Sequence, residues 1–146
     1  MRVKSTRLAS CALLWTAGFL SFGMAAAAQQ PAVQSETLLT TDSSWDGVPY
    51  AAYPSGQPQL SVLKITIPAH SQLKWHTHPM PNAAYIVSGE LTVEEKDGGK
   101  QKHFTAGQIV PETVGTVHRG VTGDSPVELI VFYAGVKGMP LVHAAQ

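Results

Sequence analysis

From Leu60 onward, hydrophobic and polar residues alternate in short runs that turn residues cut every few positions. Residues 61–67 are rich in β-branched and apolar side chains and stop at Pro68. Residues 72–78 alternate until Pro79 and Pro81 interrupt them. Residues 83–87 are apolar and turn at Ser88-Gly89, after which 91–95 alternate again. Asp97-Gly98-Gly99 predicts a tight hairpin turn, because glycine supplies the positive φ that such turns need. Residues 101–105, a turn at Ala106-Gly107 and residues 108–111 follow. A loop at 112–115 leads to His118, and 123–126 turn the chain into 127–133, the most apolar strand. No stretch carries a helical period of 3.6. Many short strands at even spacing predict an all-β, antiparallel barrel or sandwich.

The first 28 residues read differently. Arg2, Lys4 and Arg7 precede an uncharged, mostly apolar run over 8–24, and four alanines at 25–28 lead into Gln29. This is the pattern of a secretory signal peptide cleaved after Ala26 or Ala28. The run is short for a span of ~20 residues, although an uncleaved anchor is the alternative. Leu8-Ala9-Ser10-Cys11 resembles a lipobox, but the apolar run continues past Cys11, where a lipobox should close it. Export to a bacterial periplasm or the medium is expected, with no stable membrane insertion after cleavage. Residues 29–44 are expected as a flexible polar tail, 45–140 as one domain and 141–146 as a C-terminal tail. Within that domain, residues 45–58 (WDGVPYAAYPSGQP) carry one Trp, two Tyr, three Pro and two Gly. Such a stretch should pack as a covering arm, either as a strand and turn at one end of the domain or with Trp45, Tyr50 or Tyr53 facing a ligand.

Charge sharpens the division. The 146 residues hold ten Lys+Arg and ten Asp+Glu. Without residues 1–28 the basic count falls to seven, the acidic count stays at ten, and Cys11, the one cysteine, is lost. The remaining 118 residues have a net charge of about −3 with His neutral, which leaves no basic field for nucleic acid. With no thiol they exclude cysteine catalysis and thiolate metal sites, and they are too few for two large domains.

Histidine and carboxylate must therefore carry any chemistry. His76 and His78 stand two residues apart, so on a strand both rings leave the same face. His118 comes 40 residues later, and antiparallel folding can bring it across to that pair. Imidazole suits several first-row metals. Three unrelated histidines are the alternative. His70 is expected in a turn, His103 on an exposed hairpin arm and His143 in the tail.

Residues 67–132 resemble the cupin superfamily, specifically its small single-domain members. The first cupin motif is matched at His76, His78 and Gly89, the second loosely at Gly107, Pro111 and His118. The resemblance implies a cupin-type antiparallel β-barrel or jelly roll (a double-stranded β-helix). It also implies a homodimer and a divalent transition metal, one of Zn, Mn, Fe, Ni or Cu. The first motif's opening glycine falls on His70 and its glutamate, the usual fourth metal ligand, on Asn82. Two extra residues between Pro111 and His118 imply a bulge. The expected ligand set is His76, His78, His118 and Asn82. Glu112 shares the parity of His118 and is the candidate catalytic or replacement carboxylate, unless it faces solvent in the loop. Gln72, Asn82, Ile86 and Glu112 are expected to point inward, with Lys74 at the pocket edge. Trp75 and Tyr133 are expected to be structural, Tyr85 to pack outside the cavity and Arg119 to point away from it. The implied function is a divalent-metal-dependent enzyme acting on an unidentified small molecule. The alternatives are a non-catalytic small-ligand or metal-binding module, or a structural domain with a vestigial site.

Overall fold

Side-chain alternation sorts the strands into two layers with one core. The computed structural model describes residues 32–145, so the signal-peptide pattern of residues 1–28 lies outside the described residues. Nine strands follow in order: β1 (Pro58–Ile67), β2 (His76–Thr77), β3 (Asn82–Ser88), β4 (Glu90–Glu95), β5 (Gln101–Thr105), β6 (Ile109–Pro111), β7 (His118–Thr122), β8 (Val127–Val136) and β9 (His143–Ala144). The first sheet has the order β1-β8-β3-β6 and the second β5-β4-β7-β2-β9. All ladders within them are antiparallel. Among the described residues no helix is long and apolar enough to cross a membrane.

The expected barrel does not form. The first sheet ends at β1 and β6, the second at β5 and β9, and no ladder joins these ends. Closure needs paired edges, whereas β6 has three residues and β9 two. The layers are joined instead by packed side chains and by single loop bonds, such as Gly107 N–H to Ile86 O at 2.8 Å. The architecture is an open two-sheet, all-β, cupin-like fold.

Along β8, Val127, Leu129, Val131 and Tyr133 are buried in alternation, and on β3 Asn82, Ala84 and Ile86 face the same core. Leu91 and Val93 of β4 and Phe104 of β5 close it from the second sheet. On the opposite side of the first sheet, Leu60, Val62, Ile130 and Phe132 are exposed. The bulge falls in β3, between Ile86 and Ser88. The extra residues before His118 form a loop in which Gly115 takes a φ of 78°. Gly89 turns β3 into β4 at a φ of 81°, and an added Cβ there would stand 2.3 Å from Pro126 O. Only glycine fits both the dihedral and the space.

The flanking segments are part of this framework. Trp45 is buried and its backbone N–H donates to Pro111 O at 2.8 Å. At the other end of the chain β9 pairs with β2, placing His143 opposite Thr77 and Ala144 opposite His76.

Candidate metal centre

Three strand-end or loop positions bring the histidines together. His76 lies on β2 directly opposite His118 at the start of β7. His78 is two residues on, where a parallel bridge to Val114 and a bond from Gly115 N–H to His78 O (3.0 Å) hold the loop against it. The ring centroids of His76, His78 and His118 are 4.5–5.1 Å apart. One ring nitrogen from each lies within 4.8 Å of the other two.

The hydrogen bonds of the rings decide which nitrogens are free. His76 Nδ1 donates to Lys74 O at 2.8 Å and His78 Nδ1 to Leu141 O at 2.8 Å. His118 Nδ1 donates to Thr116 O at 2.9 Å and lies 2.8 Å from Thr113 Oγ1. A carbonyl oxygen only accepts, so each Nδ1 carries its proton and each neutral ring turns its Nε2 lone pair to the others. This is how backbone partners commonly fix the tautomer of a metal-ligating histidine.

Glu112 follows β6 and joins this group. Its Oε2 lies 3.2 Å from His118 Nε2. Both atoms are buried and neither has an aligned hydrogen-bond partner. Buried polar atoms are rarely left this way unless a further group completes them. Three imidazoles and one carboxylate form a donor set that suits a divalent transition ion.

The charges respond to this crowding. Burial raises the Glu112 pKa, but the close approach and charge of His118, helped by His78 and His76, hold the carboxyl below its usual range. Burial lowers His118, yet the same pair with Glu112 lifts it above the ordinary imidazole value. The proton of the metal-free site therefore resides on His118, opposite an ionised Glu112. Burial dominates at His76 and His78 and keeps both rings below the usual value, so they are neutral.

Two other segments position Glu112. Its N–H donates to Asn82 O at 3.0 Å, and Tyr50 donates its hydroxyl proton to Glu112 O at 2.8 Å. The aromatic arm thus braces the backbone that carries the carboxylate. Asn82 is buried, donates from Nδ2 to Met80 O at 3.3 Å and leaves Oδ1 without a partner. The three histidines and Glu112 line a cavity of about 360 Å³, and Asn82 is not on its wall. Gln72, expected inward, is exposed and accepts from Arg119 Nη1 at 2.8 Å. Arg119 itself points outward, paired with Glu94 and lying 4.3 Å over the Trp75 ring. Ile86 is fully buried but packs in the core away from the cavity wall.

Tyr133, expected to be structural, also faces the site. Its ring lies 5.7 Å from that of His78 on the cavity wall. Burial, and after it the charge of Glu112, pushes its phenol up to about 12, so it keeps its proton. The alternation of β8 carried the signal, because Tyr133 has the same parity as the inward Val131. Trp75 also lines this cavity, beyond its structural contact with Arg119.

The comparisons bear on the fold that carries this site. Residues 63–133 match the family model described as Cupin domain. No curated protein matches the chain. Among solved structures, one of DMSP lyases is 18% identical over 60% of this chain and 44% of its own, with a TM-score of 0.53. A polyketide cyclase from Streptomyces resistomycificus is 16% identical, covering 62% of this chain and 63% of its own at a TM-score of 0.52. A cupin-like protein from Thermotoga maritima is 14% identical, covering 59% and 64% at a TM-score of 0.51. The match spans less than two thirds of each of these chains, and at such identities the likeness is one of fold.

Proposed function

We propose that the chain is a small cupin-superfamily protein and an exported enzyme acting on a small molecule, with a divalent transition ion held by His76, His78 and His118; the match of residues 63–133 to the Cupin domain model supports the first part. The observation that supports this most is the use of all three Nδ1 atoms by backbone carbonyls, which leaves the three Nε2 atoms as the ligand atoms of one buried cluster, that of His118 once its proton is displaced. Such an ion, when bound, supplies Lewis-acid polarisation of a ligand oxygen. Glu112 Oε2 is the group that accepts or returns a proton at the bound molecule, since the charge of His118 beside it keeps it ionised against the effect of burial and close to the cluster. The protonated Tyr133 hydroxyl is a hydrogen-bond donor on the same wall. Export rests on the pattern of residues 1–28. A homodimer would cover the exposed Leu60, Val62, Ile130 and Phe132, and the light-scattering mass of the purified protein reads it directly.

Metal binding should depend on pH in a defined direction. An incoming ion must displace the proton that Glu112 holds on His118. Below the raised pKa of His118, affinity is expected to fall about tenfold per pH unit. Titration calorimetry with Zn²⁺ in buffers of different ionisation enthalpy should show about one proton released per ion near pH 6.5. Glu112→Gln removes the cause that raises His118, so the affinity profile should move to lower pH and proton release near pH 6.5 should shrink. An unchanged profile in that variant would show that Glu112 does not control the histidine.

A further inference from the structure

The rest of the cavity wall says what kind of molecule the centre takes. Around the histidines and Glu112, the wall is built by Ile65, Leu73, Leu91, Val93, Leu129 and Val131, drawn from both sheets. Among the described residues lining it, Lys74 is the one cation and it is exposed. Arg119, the nearest guanidinium in sequence to His118, is engaged outside by Glu94 and Trp75. Apart from the site itself, the lining side chains that carry a polar atom are those of Tyr133, Trp75 and Lys74. A volume of about 360 Å³ is near the small end of ligand pockets. At ~30 Å³ per water-sized unit it holds roughly a dozen non-hydrogen atoms.

We infer that the cavity selects a compact amphipathic molecule with a single anionic metal-binding head and an uncharged, apolar body. The selection rests on the metal site proposed above. Three neutral imidazoles and the Glu112 carboxylate leave one positive charge on a divalent ion, which one anionic head neutralises. A second anionic group would sit against leucine, isoleucine and valine with no buried cation to pair it, and an unpaired charge there is strongly disfavoured. A head without a body leaves the wall wet. Gly120 contributes to the fit from β7: a Cβ there would stand 3.0 Å from Leu91 Cδ1 and 3.4 Å from Leu73 Cδ1, so glycine lets both leucines line the space.

Three carboxylates test this by calorimetry on the Zn²⁺-loaded protein. Acetate has the head without the body, hexanoate has both, and adipate adds a second charge at the far end. Hexanoate is expected to bind at least ~10-fold tighter than either, because only it buries its chain uncharged. Acetate or adipate binding as tightly as hexanoate would overturn the inference. Leu73→Lys places a cation on the wall at a position already 36% exposed, so it should fold and keep the Zn²⁺ stoichiometry. It is expected to close the gap between adipate and hexanoate by several-fold, and an unchanged ratio would contradict the role of the wall. Failure of the wild type to bind Zn²⁺, Mn²⁺, Fe²⁺, Ni²⁺ or Cu²⁺ would overturn the metal reading and the anionic head with it. Hexanol against ethanol on the metal-free protein then decides the apolar half separately: tighter hexanol supports it, and equal binding overturns it.

Discussion

Replacing His118 by alanine is expected to abolish metal binding at micromolar concentrations and to destabilise even the metal-free protein. His118 is 1% exposed and is the partner that keeps Glu112 ionised inside the protein. Removing one member of a buried pair leaves an uncompensated charge, at a cost of about 3–5 kcal/mol. The sign of the pH dependence follows from the two shifts. Glu112 is depressed, so its contribution is present above its unfolded value of 4.5 and is lost as pH falls through the folded one. His118 is raised, so its contribution is full below 6.5 and is lost as pH rises through the folded value. The metal-free pair therefore stabilises most between about pH 4.5 and 6.5. In His118→Ala the carboxyl meets burial without its partner and takes up a proton more readily. The stability gap between variant and wild type should be wide near pH 6 and narrow as pH drops below 4.5. Denaturant unfolding across this range measures it, and a gap independent of pH would mean that the loss is one of packing alone.

Gly89→Ala is expected to cost about 3 kcal/mol or more without touching a ligand of the site. The residue combines a φ of 81° with a Cβ position 2.3 Å from Pro126 O. A non-glycine residue at such a dihedral costs about 1–2 kcal/mol, and the clash is with backbone, which no rotamer change relieves. Either the turn between β3 and β4 or the start of β8 must move, and β8 is one of the two inner strands of its sheet. A fall in melting temperature of roughly 10 °C or more is expected in metal-free protein. A fall of only a degree or two would show that the Ser88–Glu90 turn yields more easily than its contacts imply.

The parts of the site that were legible in the sequence are those fixed by strand parity. His76 and His78 share a face because of their spacing, and His118 meets them because β7 lies antiparallel to β2. Parity also placed Glu112 with His118, although it stands in a loop after β6 and owes its position to Asn82 O and Tyr50. What could not be read is held by distant backbone. The carbonyl that fixes the His78 tautomer belongs to Leu141, in a segment whose composition says nothing of pairing. The arm at residues 45–58 was expected to pack as a cover from its aromatic and proline content, and of its rings Trp45 is buried, Tyr50 half-buried and Tyr53 exposed. That Trp45 would bond to Pro111 and Tyr50 to Glu112 was not legible, because no local pattern encodes those partners.

Gln72 shows where parity fails. The stretch 72–78 alternates in sequence, but only His76–Thr77 is a regular strand, with Gln72 held by a single bridge to Val121. The periodicity breaks there, and Arg119 draws the amide outward. Barrel closure likewise depends on edge pairing, which alternation within each strand does not specify. A histidine pair and a turn glycine carry the resemblance to the cupin family, while the ends of the sheets are decided by strands of two and three residues.

The central claim is that His76, His78 and His118 hold one divalent ion through Nε2. It is tested most directly by elemental analysis of tag-free mature protein, paired with the His76→Ala/His78→Ala double variant. About one equivalent of a single transition metal per chain is expected in the wild type, lost in the variant while the variant remains folded by circular dichroism. Wild-type protein that carries no Zn, Mn, Fe, Ni or Cu and takes up none on titration, or a double variant that keeps its metal, would contradict it.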